Sequence, residues 1–273
     1  MLDAQKLTPP HAGFGGDDLL GADMMRIIRC GLALVALIAI QIPFARAAEQ
    51  VDLLLVLASD VSRSIVHPKF LLQREGYAAA MSNPQVLDAI QSGPHGKIAI
   101  CFVEWSGFAA QKVVIDWTLI DGPAAARGFG DQLTEAARSF ADSTSISGGI
   151  DFAVAQLARA PFEAARRTID VSGDGTNNAG RDVQRARDEA VAKGITINGL
   201  AILSDPQVPF IGNAEHINPP GGLEKYYRDN VIGGPGSFVI VAENFQSFGR
   251  AIVKKMIAEI ASNGRPRRMF VAK

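Results

Sequence analysis

Apolar residues come in runs of strand length that alternate with helical stretches from Val51 to near the end of the chain. The first run, residues 51–58, is almost wholly apolar, which is typical of a parallel strand covered on both faces. Strands are predicted at residues 51–58, 98–105, 113–117, 168–172, 195–202 and 238–242. Helices are predicted at about 66–81, 124–140, 149–158, 182–193, 223–230 and 245–261.

This alternation predicts an α/β fold with a doubly wound, mostly parallel six-stranded sheet and helices on both faces. A short turn containing Gly107 separates the strands at 98–105 and 113–117. Such a short connection joins antiparallel strands, so the strand at 113–117 is predicted to be an antiparallel edge strand.

The N-terminal part has the pattern of a secretory signal. Arg26 and Arg29 precede an apolar run at 31–42, and small residues follow around Ala47. The apolar run is short for a membrane span, so we expect cleavage after Ala47 and no stable span in the mature protein. The predicted parts are an N-terminal extension with a cleaved signal peptide (1–47, the signal at about 24–47), one domain (48–262) and a basic tail (263–273).

Charge and cysteine content limit the classes of partner and the cellular locations that are expected. The net charge of -1 over 273 residues gives no basic field for nucleic acid, so a nucleic-acid partner is not expected. Cys101 is the cysteine that follows the predicted cleavage site, and it lies in an apolar strand, so no intramolecular disulfide is expected. A periplasmic or secreted location is predicted, with the periplasm of a Gram-negative bacterium preferred.

Polar residues follow two of the predicted strands directly. Asp60, Ser62 and Ser64 come after the first strand, and Asp174 comes after the strand at 168–172. Loops at the carboxyl ends of neighbouring parallel strands meet at a crevice, so these side chains converge if the two strands are adjacent. Carboxylate and hydroxyl oxygens are hard donors, which favour Mg²⁺, with Mn²⁺ or Ca²⁺ as alternatives.

These residues resemble the metal-ion-dependent adhesion site of von Willebrand factor type A domains. Asp60, Ser62 and Ser64 match its DxSxS element, and Asp174 matches its final Asp. The middle T-x-T-G element departs: it aligns with residues 145–148, which puts Ser145 at the Thr position and Thr144 one residue earlier. The resemblance implies a divalent-cation site on Asp60, Ser62, Ser64, Ser145 or Thr144, and Asp174, with the choice between the two hydroxyls open.

A narrower resemblance joins the first. Residues 104–107, residues 226–236 and the C-terminal helix are similar to the bacterial domain-of-unknown-function family 1194 (DUF1194). That family is itself similar to von Willebrand factor A domains. The likeness therefore bears on the fold and says little about function.

Three other interpretations of the polar loops are open. Asp60 and Ser62 are residue types that form an Asx turn or cap the helix that follows, and Asp174 is of the same kind ahead of its own helix. Residues 174–178 have the start of a calcium-binding loop, but Ala179 and Arg185 stand where such a loop has Gly and Glu. A metal-free structural domain is the third.

The predicted function is an exported binding module whose divalent cation binds an acidic group of a partner protein, as the family resemblance implies. No catalytic residue is predicted. The alternatives are a metal-assisted hydrolase, with His67 or Glu104 as the base, and a metal-free structural domain. Trp105 and Phe108 either rim a recognition surface or cap the core.

Overall fold

The apolar runs of the sequence form the strands of the protein. The computed structural model describes residues 48–203 and 214–261. The strands are β1 (Glu49–Gln50), β2 (Leu54–Asp60), β3 (Ile98–Trp105), β4 (Gln111–Ile120), β5 (Phe162–Glu163), β6 (Arg167–Gly173), β7 (Thr196–Ile202) and β8 (Val239–Ala242). A small separate sheet pairs β1 with β5, and the other six strands form the main sheet in the order β4-β3-β2-β6-β7-β8.

The predicted architecture is confirmed. Strands β3, β2, β6, β7 and β8 run parallel, and β4 pairs with β3 in the antiparallel sense at the edge of the sheet. The order of the strands along the chain reverses between β2 and β6. In sheets of this type the crevice at such a reversal is where ligands bind.

Helices cover both faces of the sheet. They are α1 (His67–Met81), α2 (Pro84–Gln91), α3 (Pro123–Glu135), α4 (Ile146–Ala158), α5 (Val183–Ala192), α6 (Ala214–Ile217), α7 (Leu223–Tyr226) and α8 (Phe248–Ala261), with a π-helical turn at Tyr227–Val231 and a 3₁₀ turn at Phe245–Ser247. Helix α2 is absent from the prediction, although Asn83 marks its start: Asn83 Oδ1 accepts a hydrogen bond from Gln85 N at 2.9 Å.

The two cores explain why β2 is apolar from Leu54 to Ala58. Leu55 and Leu57 belong to a buried cluster that also contains Tyr77 of α1. Val56 belongs to a second cluster that contains Ile150 of α4. Because successive side chains of a strand point to opposite faces, covering both faces requires every position to be apolar.

Helix α3 is shorter than predicted. It ends at Glu135, whereas the sequence pattern extends to residue 140. After the end of the helix, Arg138 forms hydrogen bonds with a distant segment. Its Nη2 donates to the carbonyls of Val61 at 2.6 Å and Ser62 at 2.8 Å. The segment after α3 therefore supports the loop that follows β2 instead of continuing a helix.

Two predicted segments lie outside the described residues: the signal peptide within 1–47 and the basic tail at 263–273. Among the helices that are described, none is both long and apolar enough to cross a membrane. Cys101 is buried and free, as expected from its position in an apolar strand.

Candidate metal centre

The two polar loops meet because β2 and β6 are neighbours. The strands pair in parallel, with Ser59 opposite Ser172 near their carboxyl ends. The polar loops were expected to converge only if these two strands are adjacent, and the strands are adjacent. Asp60 is the last residue of β2, and Asp174 directly follows β6.

The loop after β2 is folded back on itself by Asp60. Asp60 Oδ1 accepts a hydrogen bond from the backbone N–H of Ser62 at 2.6 Å. The hydroxyl oxygens of Ser62 and Ser64 lie 3.1 Å apart. Alternate side chains of the loop are thus gathered on one side, with Asp60 and Ser62 buried and Ser64 half-buried.

Asp174 joins this group from the opposite loop. The Ser64 hydroxyl donates to Asp174 Oδ1 at 2.6 Å, and the Asp174 side chain is fully buried. Lys69 Nζ lies 3.3 Å from Asp174 Oδ2 and 3.2 Å from the carbonyl oxygen of Ser64. The structure brings the four residues Asp60, Ser62, Ser64 and Asp174 into one connected cluster.

The buried position of the cluster disfavours the charged form of Asp60 beside Asp174. Burial raises the pKa of Asp60 to about 7, and the negative charge of Asp174 adds to this effect, while hydrogen bonds from Ser62 oppose it. Asp60 Oδ2 is buried and has no hydrogen-bond partner of normal geometry among the described residues. A cation at this position would relieve both penalties.

The donor set fits a hard divalent cation. Two carboxylates and several hydroxyls supply oxygen ligands, the preference of Mg²⁺, Mn²⁺ and Ca²⁺. In the described part of the chain, no three His, Cys, Asp or Glu side chains come together as a metal cluster. Hydroxyl oxygens must therefore contribute if an ion binds here.

The structure separates the two hydroxyls of the middle loop. Ser145 is the N-cap of α4, where its Oγ accepts from Gly148 N at 3.2 Å. Thr144 Oγ1 instead lies 3.2 Å from Nε2 of His216, which packs beside the loop of Asp174. Each hydroxyl therefore has a partner of its own, and the choice between Thr144 and Ser145 stays a prediction.

His216 is a site residue that the sequence pattern does not reveal. Its ring is buried, Nδ1 lies 3.1 Å from Thr176 Oγ1, and a methyl group built on Gly175 would lie 2.3 Å from Nε2. Burial lowers the pKa of His216, and the charge of Asp174 opposes this shift. His216 lacks zinc-type spacing to another His, so the sequence gives no reason to select it. The fold shows that its ring lies between Thr144 and the loop of Asp174 and contacts both.

The capping interpretation holds in part: Asp60 Oδ1 accepts from Ser62 N, which is the bond of an Asx turn, but none of Asp60, Ser62 and Asp174 is a helix N-cap. Helix α1 has Val66 at its N-cap with no side-chain hydrogen bond, so Asp60 and Ser62 do not cap it. Helix α5 is capped by Asp182, whose Oδ1 accepts from Arg185 N at 2.8 Å, and not by Asp174.

The calcium-loop interpretation also fails, because residues 176 and 178 have other partners. Thr176 Oγ1 contacts His216, and Asn178 Oδ1 accepts from Thr144 N at 2.9 Å. These side chains fasten the loops to each other and do not converge on a common centre with Asp174.

Of the two candidate bases, Glu104 is engaged in other interactions and His67 is exposed to solvent. Glu104 is buried, forms an ion pair with Arg74 and accepts from Ser139 N at 2.8 Å. His67 is exposed, and its ring stacks on Phe70. Among the described residues, neither side chain forms a hydrogen bond with a predicted metal ligand.

The aromatic residues after β3 divide between the two roles considered for them. Trp105 is fully buried in the core. Phe108 is 70% exposed, and a methyl group on Gly180 would lie 3.4 Å from its ring and 2.5 Å from Ser145 Oγ. Phe108 therefore lies on the surface beside the middle loop.

A family model agrees with the sequence resemblance. The model described as "Protein of unknown function (DUF1194)" matches residues 50–264. A search of the curated proteins returns no match.

Solved structures with this architecture include an animal and a bacterial protein. Proximal thread matrix protein 1 from the mussel byssus aligns with a TM-score of 0.53 at 13% identity, covering 78% of this chain and 49% of that one. The pilus adhesin SpaC from Lactobacillus rhamnosus GG aligns with a TM-score of 0.54 at 11% identity, covering 80% and 31%. Both have the von Willebrand factor type A fold. The chain spans about half of the mussel protein and about a third of the adhesin, and the likeness is one of fold.

Proposed function

Since the chain belongs to the DUF1194 family and has the von Willebrand factor type A fold, we propose that it is an exported binding module. It holds one divalent cation, Mg²⁺ with Mn²⁺ or Ca²⁺ as substitutes, and uses it to bind an acidic group of a partner protein. The main support is the Ser64 hydroxyl, which joins the loop of Asp60 to the buried carboxylate of Asp174.

The ion would be held by Asp60, Ser62, Ser64 and Asp174, with Thr144 as the fifth residue. When bound, the cation supplies a positive charge that a partner carboxylate can reach. The chain keeps this site open on one side, because Ser64 is half-buried while the carboxylates behind it are fully buried. His216 and Arg138 hold the two flanking loops in place.

The surface around the loops suits an acidic partner. Phe108 and Val66 are 70% and 53% exposed, which gives apolar contact area on the surface near the site. Arg63, between Ser62 and Ser64, has a side chain that is 81% exposed; its guanidinium lies 3.9 Å from Asp142 and can exchange this contact for a partner carboxylate. Apolar contact combined with complementary charge is typical of protein–protein recognition.

A binding role is better supported than hydrolysis. A hydrolase would need a free base beside Asp174, but Glu104 is committed to Arg74 and His67 faces solvent. The imidazole of His216 does lie beside the Asp174 loop, but its Nε2 is 3.2 Å from Thr144 Oγ1 and its Nδ1 is 3.1 Å from Thr176 Oγ1. A purely structural role leaves Asp60 Oδ2 buried without a partner of normal geometry, because the Lys69 ammonium contacts Asp174 and not Asp60, and this costs folding free energy.

Two titrations of the purified protein test the proposal. Calorimetry with Mg²⁺, Mn²⁺ and Ca²⁺ should show one site in the wild type and in Asp131→Ala, an exposed acidic control on α3, and none in Asp174→Ala. The metal-loaded protein should then bind a short glutamate peptide more tightly than its glutamine counterpart, and chelator should abolish the difference. Equal titrations of the wild type and Asp174→Ala would refute the metal site, and equal binding of the two peptides would refute the acidic partner.

Substitutions in the middle loop distinguish its two hydroxyls. Thr144→Val removes the hydroxyl beside His216 and should weaken Mg²⁺ binding about ten-fold. Ser145→Ala removes the cap of α4, so it should leave the affinity unchanged and lower the free energy of unfolding by about 1 kcal/mol. Calorimetry and thermal unfolding measure the two effects. The reverse pattern would assign the ligand to Ser145.

A further inference from the structure

A buried tyrosine borders the metal site from the side opposite the solvent. Tyr227 is fully buried, and its hydroxyl has no hydrogen-bond partner among the described residues. A methyl group built on Gly173 would lie 2.7 Å from Tyr227 Oη and 2.9 Å from Asp60 Oδ2. The two oxygens do not form a direct hydrogen bond, but both lie within 2.9 Å of the same point, so they are near enough for one water to bridge them.

The strands are built to admit this ring. Gly173 lies under the Tyr227 hydroxyl at the end of β6, and a methyl group on Gly199 of the neighbouring strand β7 would lie 2.9 Å from Tyr227 Cδ1. Glycine inside a strand weakens it and marks a place where another group approaches the backbone closely. Two glycines in adjacent strands make room for one aromatic side chain.

The backbone at Tyr227 is also unusual. Residues Tyr227–Val231 form a π-helical turn directly after α7. Such turns are rare and are found frequently at functional sites. The turn places Tyr227 inward, while the preceding Tyr226 accepts a hydrogen bond from Asn177 N at 3.0 Å.

We propose that Tyr227 is a positioning residue of the metal site, whose hydroxyl donates to Asp60 Oδ2 through one bridging water. This inference rests on the proposed metal site. Asp60 Oδ1 is already fixed by Ser62 N, so a donor at Oδ2 holds the carboxylate in one orientation and stabilises its charged form, which an ion requires.

Tyr227→Phe tests the hydroxyl, and Tyr226→Phe is the matched control on the adjacent residue. Tyr227→Phe should weaken Mg²⁺ and Mn²⁺ binding about ten-fold by calorimetry, because second-layer donors of metal ligands have effects of this size. Its unfolding temperature in chelator should not fall, because the hydroxyl has no protein partner of normal geometry. Tyr226→Phe removes the acceptor of Asn177 N, so it should lower the unfolding temperature in chelator and still bind metal more tightly than Tyr227→Phe.

A near-ultraviolet difference spectrum distinguishes positioning from general packing. Adding Mg²⁺ should produce a tyrosine difference band in the wild type and in Tyr226→Phe. The same addition should produce no difference band in Tyr227→Phe. Wild-type affinity in Tyr227→Phe would overturn the role of Tyr227 and leave the metal site standing. A loss that is equal in both variants, or that accompanies a lower unfolding temperature of Tyr227→Phe in chelator, would also overturn it. No metal binding by the wild type would overturn both proposals.

Discussion

Asp60→Asn should abolish divalent-cation binding and, in the presence of chelator, make the protein more stable than the wild type. Burial and the charge of Asp174 raise the pKa of Asp60 from 3.8 to about 7, so the charged form is disfavoured in the folded state. The amide keeps an acceptor for Ser62 N and carries no charge. We expect a gain on the order of 2 kcal/mol above pH 7, or about 5 °C in the unfolding temperature.

The pH dependence of this gain follows from the direction of the pKa shift. A group whose pKa is higher in the folded state contributes stability at low pH and loses it as the pH rises through the folded-state value. The wild type and Asp60→Asn should therefore be equally stable near pH 4 and diverge as the pH rises to about 7. Thermal unfolding in chelator from pH 4 to pH 8 measures the difference, and a pH-independent or negative difference would contradict it.

Lys255→Met should cause the largest loss of stability. Lys255 is fully buried on α8, with Nζ 2.9 Å from Asp170 Oδ1 of β6 and in an ion pair with Glu259. Removing the ammonium leaves two buried carboxylates without their shared cation. Breaking a buried pair in this way costs about 3–5 kcal/mol, which corresponds to about 10 °C in the unfolding temperature.

The neighbouring Lys254 provides the matched control, because it lies on the same helix and is exposed. Lys254→Met should change stability by less than about 0.5 kcal/mol. Adding Asp170→Asn to Lys255→Met should recover part of the loss, since one of the two carboxylates is then neutral. Similar unfolding temperatures for the two lysine variants would show that the buried ion pairs do not stabilise the attachment of α8.

The main sheet was predictable because its signal is local. A strand buried on both faces must be apolar at nearly every position, and residues 51–58 show this directly. The limits of the elements were less predictable, as at the end of α3, where Arg138 bonds to the carbonyls of Val61 and Ser62. Hydrogen bonds between distant segments leave no periodic trace in the sequence.

The candidate site was predictable to the extent that its residues are close in sequence or directly follow strands. Asp60, Ser62, Ser64 and Asp174 follow the ends of two apolar runs, so parallel pairing alone brings them together. The choice between Thr144 and Ser145 was not predictable, because adjacent hydroxyls have the same chemistry. The structure gives the two hydroxyls different partners, since Ser145 caps α4 and Thr144 contacts His216, and metal titration of the two variants tests the choice.

By itself, the sequence determined the α/β class, the strand pattern and the four oxygen-bearing residues of the two loops, because each depends on side-chain type at short range. Only the tertiary structure decided that β2 and β6 are neighbours and that Thr144 faces His216. It likewise decided that Tyr227 lies over Gly173 and Gly199. These facts depend on residues far apart in the chain, whose separation in space is set by the packing of the whole sheet.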